Sequence, residues 1–249
     1  MTDLVTCTVT DGLARIELNR PSAANALDLD LAHALDDAVE QAATDDTVQA
    51  VLLTGAGKRF CAGGDVAAMV EADDQAAFLL ELAQTLDGAL QRLAALEKPT
   101  VASVQGAVAG AGLAVMLSCD LVVADPATKF VIAYPGVGLV PDCGVSWLLP
   151  RAVGQQRALQ LALTNKPITA DVALDWGLVT ELSDDVERGA ELAGQLAAGP
   201  SYALGQAKRL LRNSWETTRV GAGEDEARTI AKAVTTPEAQ ALLEAFTKR

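Results

Sequence analysis

Asp142 is an ionisable residue inside a mostly apolar stretch, GLVPDCGVSWLLPRAVG at residues 138–154. A carboxylate in such surroundings loses hydration unless another group pairs with it. Apolar neighbours favour the protonated carboxyl group, whereas a position at a helix start favours the ionised form. The residue types therefore predict two roles: an acid–base catalyst, or an N-cap of a helix that begins near Gly144.

Two glycine-rich turns could bind an oxyanion through main-chain amides. LLTGAGKRFCAGGDVAAM has glycines at 55, 57, 63 and 64, and VQGAVAGAGLAVML has them at 106, 110 and 112. Each follows a predicted strand and precedes a predicted helix, and neither matches a nucleotide-binding motif. Two N–H groups that meet at one oxygen would form an oxyanion hole. Alternatively, the glycines only permit tight turns and close helix packing.

The other reactive side chains give weaker signals. His33 is the only histidine, so a site built from several histidines is excluded, and its acidic, amphipathic helix predicts a surface or groove position. Cys143 could be a nucleophile, but without a histidine base nearby a buried thiol is the better interpretation. The four cysteines lack C-x-x-C spacing, which argues against zinc or redox work. Ser146 is not part of a G-x-S-x-G motif, which disfavours a serine hydrolase.

Composition narrows the class of protein. Half of the 249 residues are hydrophobic and 21% are charged, which is enough for a sizeable core. The net charge of −14 argues against nucleic acid or an anionic membrane as a partner. No leader pattern and no run of membrane-spanning length stands out, so we expect a cytoplasmic protein. Basic residues concentrate from residue 208 onward, which fits either a phosphorylated ligand or a solvated surface.

The pattern of elements predicts an α/β protein with a helical C-terminal region. Alternation around Asp11-Gly12 indicates a β-hairpin. Further on, strands and helices alternate up to about Gly144, and beyond it the pattern is almost entirely helical, interrupted by GLVTELS. We expect these strands to carry the glycine turns and the later helices to follow Asp142.

Taken together, in this order and spacing, the motifs resemble the crotonase superfamily, the enoyl-CoA hydratase/isomerase family. The matching segments are LNRPSAANAL at 18–27, FCAGGDV at 60–66, VQGAVAGAGLAVMLSCDLVVAD at 104–125, GLVPDCGVSWLLPRAVG at 138–154 and ALDWGLVTEL at 173–182. The resemblance implies a crotonase-like spiral of ββα turns at residues 1–195, which holds the acyl-CoA site. It also implies a C-terminal helical trimerisation region at 196–249, with assembly as a homotrimer or homohexamer.

The resemblance also implies which residues form the site. Gly64 and Ala111 would donate the two oxyanion-hole N–H groups, and Ala111 replaces the more usual glycine without loss of the backbone donor. Coenzyme A would enter as part of the substrate, with no other cofactor and no metal. The residues that would bind it are Ala23, Ala24, Ala62, Asp65 and Val66 in the groove, and Lys248 and Arg249 near the phosphates. Asp65 would in addition cap or orient its own loop.

The chemistry implied is isomerisation rather than hydration. Family members that hydrate a double bond have two glutamates where this chain has Ala114 and Tyr134, and neither residue replaces them. Asp142 aligns with an aspartate of branches that move double bonds: the dienoyl-CoA isomerases and, closest in motif, the isomerases of ring-epoxidised phenylacetyl-CoA. The expected function is therefore a double-bond or ring-epoxide isomerase of an acyl-CoA, in fatty acid metabolism or aromatic catabolism.

Two alternatives stay open. In the aryl-CoA dehalogenases of the family, an aspartate that aligns with Asp142 attacks the ring as a nucleophile, and an aromatic residue aligns with Tyr134. The chain could also be a non-catalytic CoA-binding paralogue, since both glutamates are missing. Residues near 70–90 and 134–147 are expected to shape the acyl pocket, where Tyr134 could contact the acyl group, close the pocket or simply pack.

Overall fold

A hairpin opens the fold, as the sequence predicts. The computed structural model describes residues 3–248. Strands β1 (Val5–Thr10) and β2 (Leu13–Leu18) pair antiparallel. Asp11 and Gly12, between them, have φ of 49° and 78°, as a two-residue type I′ turn requires.

The hairpin continues into a mainly parallel sheet. The later strands are β3 (Ala50–Gly55), β4 (Thr100–Val104), β5 (Ala107–Ala109), β6 (Leu121–Ala124), β7 (Lys129–Val131), β8 (Ile168–Thr169) and β9 (Glu181–Leu182). The main sheet has the order β1-β2-β3-β4-β6-β9, and every pair beyond the hairpin is parallel. Parallel neighbours need crossover connections, and these connections carry both glycine turns.

A second, small sheet has the order β5-β7-β8. Strand β5 lies directly before the second glycine turn and pairs with β7 in parallel, while β8 pairs with β7 antiparallel. The sequence pattern does not predict β5 or β8, since three and two residues are too few to show a period. Pairing in this sheet fixes the end of β5, where the second glycine turn begins.

Helices cover both faces of the main sheet. They are α1 (Leu29–Thr44), α2 (Val66–Glu71), α3 (Gln75–Ala95), α4 (Ala111–Leu117), α5 (Val145–Val153), α6 (Gln155–Thr164), α7 (Ala170–Asp175), α8 (Arg188–Ala197), α9 (Ser201–Arg212), α10 (Arg219–Ala233) and α11 (Pro237–Thr247). The larger core contains side chains of α1, α3 and α4. On the opposite face, Ala193 and Ala197 of α8 pack against Leu52 and Val101. The predicted α/β class with a helical C-terminal region is confirmed.

The proposed division at residue 195 falls within α8, which packs on the sheet; the two-part organisation stays a prediction. Helix α9 is held by Asp120, whose carboxylate pairs with Lys208 at 3.0 Å and Arg212 at 2.8 Å. Helices α10 and α11 bury none of their side chains. In the part of the chain that the structure describes, no helix is both long and apolar enough to span a membrane.

Candidate active site

The two glycine turns meet along their backbones. Gly63 has φ of +96°, and a Cβ there would lie 2.8 Å from the carbonyl oxygen of Ala109. The Ala109 N–H donates to the Cys61 carbonyl at 3.1 Å. Gly110 has φ of 52° and ψ of −127°, a conformation essentially restricted to glycine. The glycines therefore serve close approach as well as tight turning.

This contact brings two unpaired amides to one cavity. Ala111 is the first residue of α4, so its N–H has no intrahelical acceptor. Leu27 holds the residues on both sides of Gly64. The Leu27 N–H donates to the carbonyl of Gly63 at 2.8 Å, and the Leu27 carbonyl accepts from the N–H of Asp65 at 2.9 Å. Within residues 3–248, neither the Gly64 nor the Ala111 amide donates a hydrogen bond. Both line the same cavity; their binding of a thioester oxygen stays a prediction.

The cavity has a volume of about 300 Å³ and mostly apolar walls. One wall comes from α3 and the other from the segment before α5, which agrees with the predicted ranges 70–90 and 134–147. The apolar side chains in the lining are Leu27, Ala62, Val66, Met69, Leu79, Leu80, Leu82, Ala83, Leu86, Ala111, Ala133, Val137, Leu139 and Val140. The ionisable side chains in the lining are Tyr134, Asp142 and Cys143.

Tyr134 and Asp142 form a hydrogen-bonded pair. The Tyr134 hydroxyl donates to Oδ1 of Asp142 at 2.6 Å. Burial, and then the Asp142 charge, raise the pKa of Tyr134 far above its ordinary value, so the hydroxyl stays a donor. The pair occupies one carboxylate oxygen and leaves Oδ2 for a ligand. The sequence predicts only that Tyr134 contacts the acyl group, closes the pocket or packs, and it does not reveal this hydrogen bond.

The helix-cap interpretation of Asp142 is wrong. The N-cap of α5 is Gly144, in the left-handed conformation, and no side chain caps the helix. Asp142 contributes only its main-chain carbonyl, which accepts from the Val145 N–H at 3.0 Å. Its side chain therefore caps no helix, and the carboxylate can act on a ligand in the cavity that it lines.

Cys143 and His33 behave as predicted. Cys143 is buried, and burial together with the Asp142 charge raises the pKa of its thiol, so it is protonated at neutral pH. His33 is exposed on α1. Among residues 3–248, no group of three histidine, cysteine, aspartate or glutamate side chains could hold a metal ion.

Asp65 caps its own helix, as the sequence analysis expected. Its Oδ1 accepts from Ala67 and Ala68 at 3.0 and 3.2 Å, and its Oδ2 pairs with Arg20 at 2.6 Å. Burial opposes ionisation of Asp65, but the hydrogen bond from Arg20 and the helix amides outweigh it and lower the pKa. Asp65 is therefore a fixed anion that holds α2 next to Gly64.

The predicted groove residues lie at the cavity or next to residues that line it. Ala62 and Val66 line the cavity. The Ala62 N–H donates to the carbonyl of Ala24 at 3.1 Å, and Ala23 ends the short 3-10 turn just before Ala24. Their contact with coenzyme A stays a prediction.

Lys248 is not brought to the cavity within this single chain. It follows α11, and its Nζ lies 3.4 Å from the carboxylate of Glu244. Arg249, the other residue expected near the phosphates, lies outside the described residues. A role for either in phosphate binding stays a prediction.

Asn25 organises the first glycine turn, a role that the sequence pattern does not predict. It is fully buried in a left-handed conformation with φ of 55°. Its side-chain N–H groups donate to the carbonyls of Ala56, Arg59 and Phe60 at 2.8–3.0 Å, and its Oδ1 accepts from Arg20. An asparagine just before a helix signals a cap or turn, but no local pattern shows a reach of more than thirty residues along the chain.

Comparisons with known proteins agree with this fold. The family model of the enoyl-CoA hydratase/isomerase family matches residues 8–249. The 1,2-epoxyphenylacetyl-CoA isomerase of Escherichia coli K12 is 37% identical over 87% of this chain and 84% of its own length. A 4-chlorobenzoyl coenzyme A dehalogenase of an Arthrobacter species is 34% identical over 92% and 84%. The crystal structure of an enoyl-CoA hydratase from Thermoplasma volcanium has a TM-score of 0.92 and 27% identity, with 98% and 97% covered.

The chain belongs to the enoyl-CoA hydratase/isomerase family, within the crotonase superfamily. Its relatives include both an isomerase and a dehalogenase, so family membership leaves the reaction open. The choice between isomerisation and dehalogenation must therefore be argued from the side chains around the cavity.

Proposed function

We propose that the chain is an acyl-CoA isomerase in which Asp142 moves a proton between two carbons of the acyl group. One observation carries this proposal. Asp142 is the only carboxylate among the described residues that line the cavity, and burial raises the pKa of both other ionisable side chains there, Tyr134 and Cys143. It shares the cavity with the unpaired amides of Gly64 and Ala111.

The two amides would stabilise the enolate. When a proton leaves the carbon next to a thioester, or the vinylogous carbon, negative charge develops on the carbonyl oxygen. Amide donors fixed before the reaction need no reorganisation, and removal of one such donor costs about 3–4 kcal/mol where it has been measured. The backbone of Gly63 and Gly110 fixes these donors, which explains why Ala111 can replace a glycine.

Asp142 would then complete the isomerisation. Oδ2 takes a proton as one C–H bond breaks, and the electron pair spreads into the conjugated enolate. The same proton returns to a different carbon, so the double bond moves and no atoms are gained or lost. The Tyr134 hydroxyl holds Oδ1 throughout, which keeps the carboxylate oriented. Hydration is not supported, since the family resemblance places Ala114 and Tyr134, neither of which is a carboxylate, at the two glutamate positions.

The cavity supports an apolar acyl group of limited length. The volume of about 300 Å³ lies at the lower end of the range of small-molecule binding sites, about 300–1,000 Å³. Apart from the Tyr134–Asp142 pair and the Cys143 thiol, the lining side chains are aliphatic or methionine. A charged or strongly hydrogen-bonding acyl end would lose its hydration there without a partner.

A product screen with 2-enoyl-, 3-enoyl- and arylacetyl-CoA thioesters tests the function. We expect interconversion of double-bond isomers, with kcat/KM rising about fourfold per added methylene, or about 0.8 kcal/mol, until the cavity is full. Product analysis by mass spectrometry and NMR distinguishes isomers from hydrated products. Formation of 3-hydroxyacyl-CoA alone, or a preference for polar acyl groups, would contradict the proposal.

A dehalogenase-like reaction is the second candidate, favoured by the 34% identical relative. In that reaction Asp142 would form an ester bond to an aromatic ring carbon and displace halide, and water would hydrolyse the ester. The two candidates differ in what accumulates, because only the second passes through a covalent aspartyl adduct. Intact-protein mass spectrometry after rapid quenching with a haloaryl-CoA detects that adduct.

We also propose that the chain assembles as a homotrimer or as a pair of trimers. The C-terminal helices expose large apolar side chains, which supports an interface with other copies of the chain. The most exposed of them are Leu211, Trp215, Val220, Ile230 and Phe246. In light scattering, such an assembly has three or six times the subunit mass of 25.8 kDa.

A further inference from the structure

Ala133 has an unusual backbone at the edge of the cavity. Its φ is 66° and its ψ is −32°, a combination that residues with a side chain rarely adopt. It lies between β7 and the 3-10 turn Tyr134–Val137, and it lines the cavity. Since Tyr134 is the next residue, the Ala133 backbone sets the direction from which the phenol ring enters.

The side chain of Asn165 holds this backbone. Its Oδ1 accepts from the Ala133 N–H at 2.9 Å. Its amide nitrogen lies against Gly136, where an added Cβ would lie 3.0 Å from Nδ2. Asn165 itself ends α6 in the left-handed conformation, with φ of 50° and ψ of 28°. One side chain on a neighbouring helix therefore contacts the turn on both sides of Tyr134.

The contacts continue from this turn to Asp142. The Tyr134 carbonyl accepts from the Leu139 N–H at 3.0 Å, which closes the segment that leads towards Asp142. The Tyr134 hydroxyl then reaches Asp142 at 2.6 Å. A rotation of the Ala133 backbone would displace the hydroxyl at the far end of the ring by more than it moves the main chain.

We propose that Asn165 is a positioning residue for the Tyr134–Asp142 pair. Its side-chain carbonyl keeps Ala133 in its unusual conformation, and so keeps the Tyr134 hydroxyl on Oδ1 and Oδ2 directed into the cavity. The effect on turnover rests on the proposed isomerase function. The effect on the hydrogen bond between Tyr134 and Asp142 does not.

Two substitutions separate the acceptor from the backbone role of Asn165. Asn165→Gly tolerates the left-handed conformation at the end of α6 but removes the acceptor. Asn165→Asp retains both an acceptor oxygen and tolerance of that conformation. For Asn165→Gly we expect kcat to fall about 10- to 100-fold, the size of effect that a small misplacement of a catalytic group produces, with KM little changed because the cavity walls remain. Asn165→Asp should recover most of the lost kcat.

A spectroscopic readout is independent of catalysis. The chain has two tyrosines, so 13C labelling of the tyrosine rings gives two Cζ signals, and Tyr134→Phe assigns them. We expect Asn165→Gly to move the Tyr134 signal, whereas Asn165→Asp leaves it near its wild-type position. Asn213→Gly, at an exposed helix end, serves as the control and should leave the signal and kcat unchanged.

The outcomes distinguish the positioning role of Asn165 from the proposed isomerase function. A Tyr134 signal that Asn165→Gly leaves unmoved overturns the positioning role, as does a kcat equal to that of an active wild type. If the wild type moves no double bond but the Tyr134 signal responds as described, the isomerase function fails and the structural role of Asn165 stands. Asn165→Asp behaving as poorly as Asn165→Gly in the Tyr134 signal also contradicts the role of the acceptor oxygen.

Discussion

Asp142→Asn should abolish isomerisation and leave binding of coenzyme A intact. Asparagine has nearly the shape of aspartate and can still accept the Tyr134 hydrogen bond, but it cannot take up a proton from carbon. Positioned acid–base groups contribute about 100- to 10,000-fold to rate, so we expect a fall in kcat of that size. The measurements are steady-state kinetics with the best enoyl-CoA and calorimetry with a non-reacting acyl-CoA.

A matched control tests whether loss of one negative charge anywhere in the protein has the same effect as its loss at Asp142. Asp37 is exposed on α1, away from the cavity, so Asp37→Asn makes the same change in charge without touching the site. It should retain wild-type kcat and KM. Full activity in Asp142→Asn would show that the carboxylate takes no part in proton transfer.

Gly110→Ala should inactivate the oxyanion site through the backbone alone. An added Cβ has room, because its nearest neighbour, the Cα of Gly63, is 3.6 Å away. The φ of 52° and ψ of −127° are nevertheless unsuitable for alanine, so the peptide that carries the Ala111 N–H must rotate. Loss of one oxyanion-hole donor costs about 100- to 1,000-fold in kcat, and the strain costs about 1–3 kcal/mol of stability.

Gly154→Ala separates strain from catalysis. Gly154 also has a glycine-type backbone, with φ of 82° and ψ of 155°, and an added Cβ would meet nothing within 4 Å. It lies between α5 and α6 and does not line the cavity. We expect a similar loss of stability in chemical denaturation, with kcat unchanged. Equal losses of kcat in the two variants would mean that Gly110 acts through stability and not through the amide.

Long periodic segments of the sequence predict most of the fold. The hairpin at Asp11-Gly12, the helix over α3 and the buried strand β3 each carry a strong local signal of period or turn chemistry. The small sheet of β5, β7 and β8 was missed in part, because its strands are held by pairing between distant segments and not by their own pattern. Fold class therefore follows from local signals, whereas short strands depend on tertiary contacts.

The candidate site was predicted unevenly for the same reason. Motif resemblance brought out Gly64, Ala111 and Asp142, and the structure places all three at one cavity. It could not settle whether Asp142 caps α5, since a cap depends on the exact start of the helix, here at Gly144. The hydrogen bond from Tyr134 and the support from Asn165 join residues 8 and 32 positions apart, and residue types alone do not reveal such pairs.

The most direct test of proton transfer by Asp142 is to run the reaction in D2O and measure whether the hydrogen that leaves one carbon reappears on the other. In the proposed reaction, one carboxylate in an apolar cavity removes a proton and returns it to the same acyl group. We therefore predict that wild-type product carries the substrate's own hydrogen at its new C–H bond in a measurable fraction of molecules, by NMR and mass spectrometry after one turnover. Deuterium at that position in every product molecule, or migration of the double bond at an undiminished rate in Asp142→Asn, would contradict it.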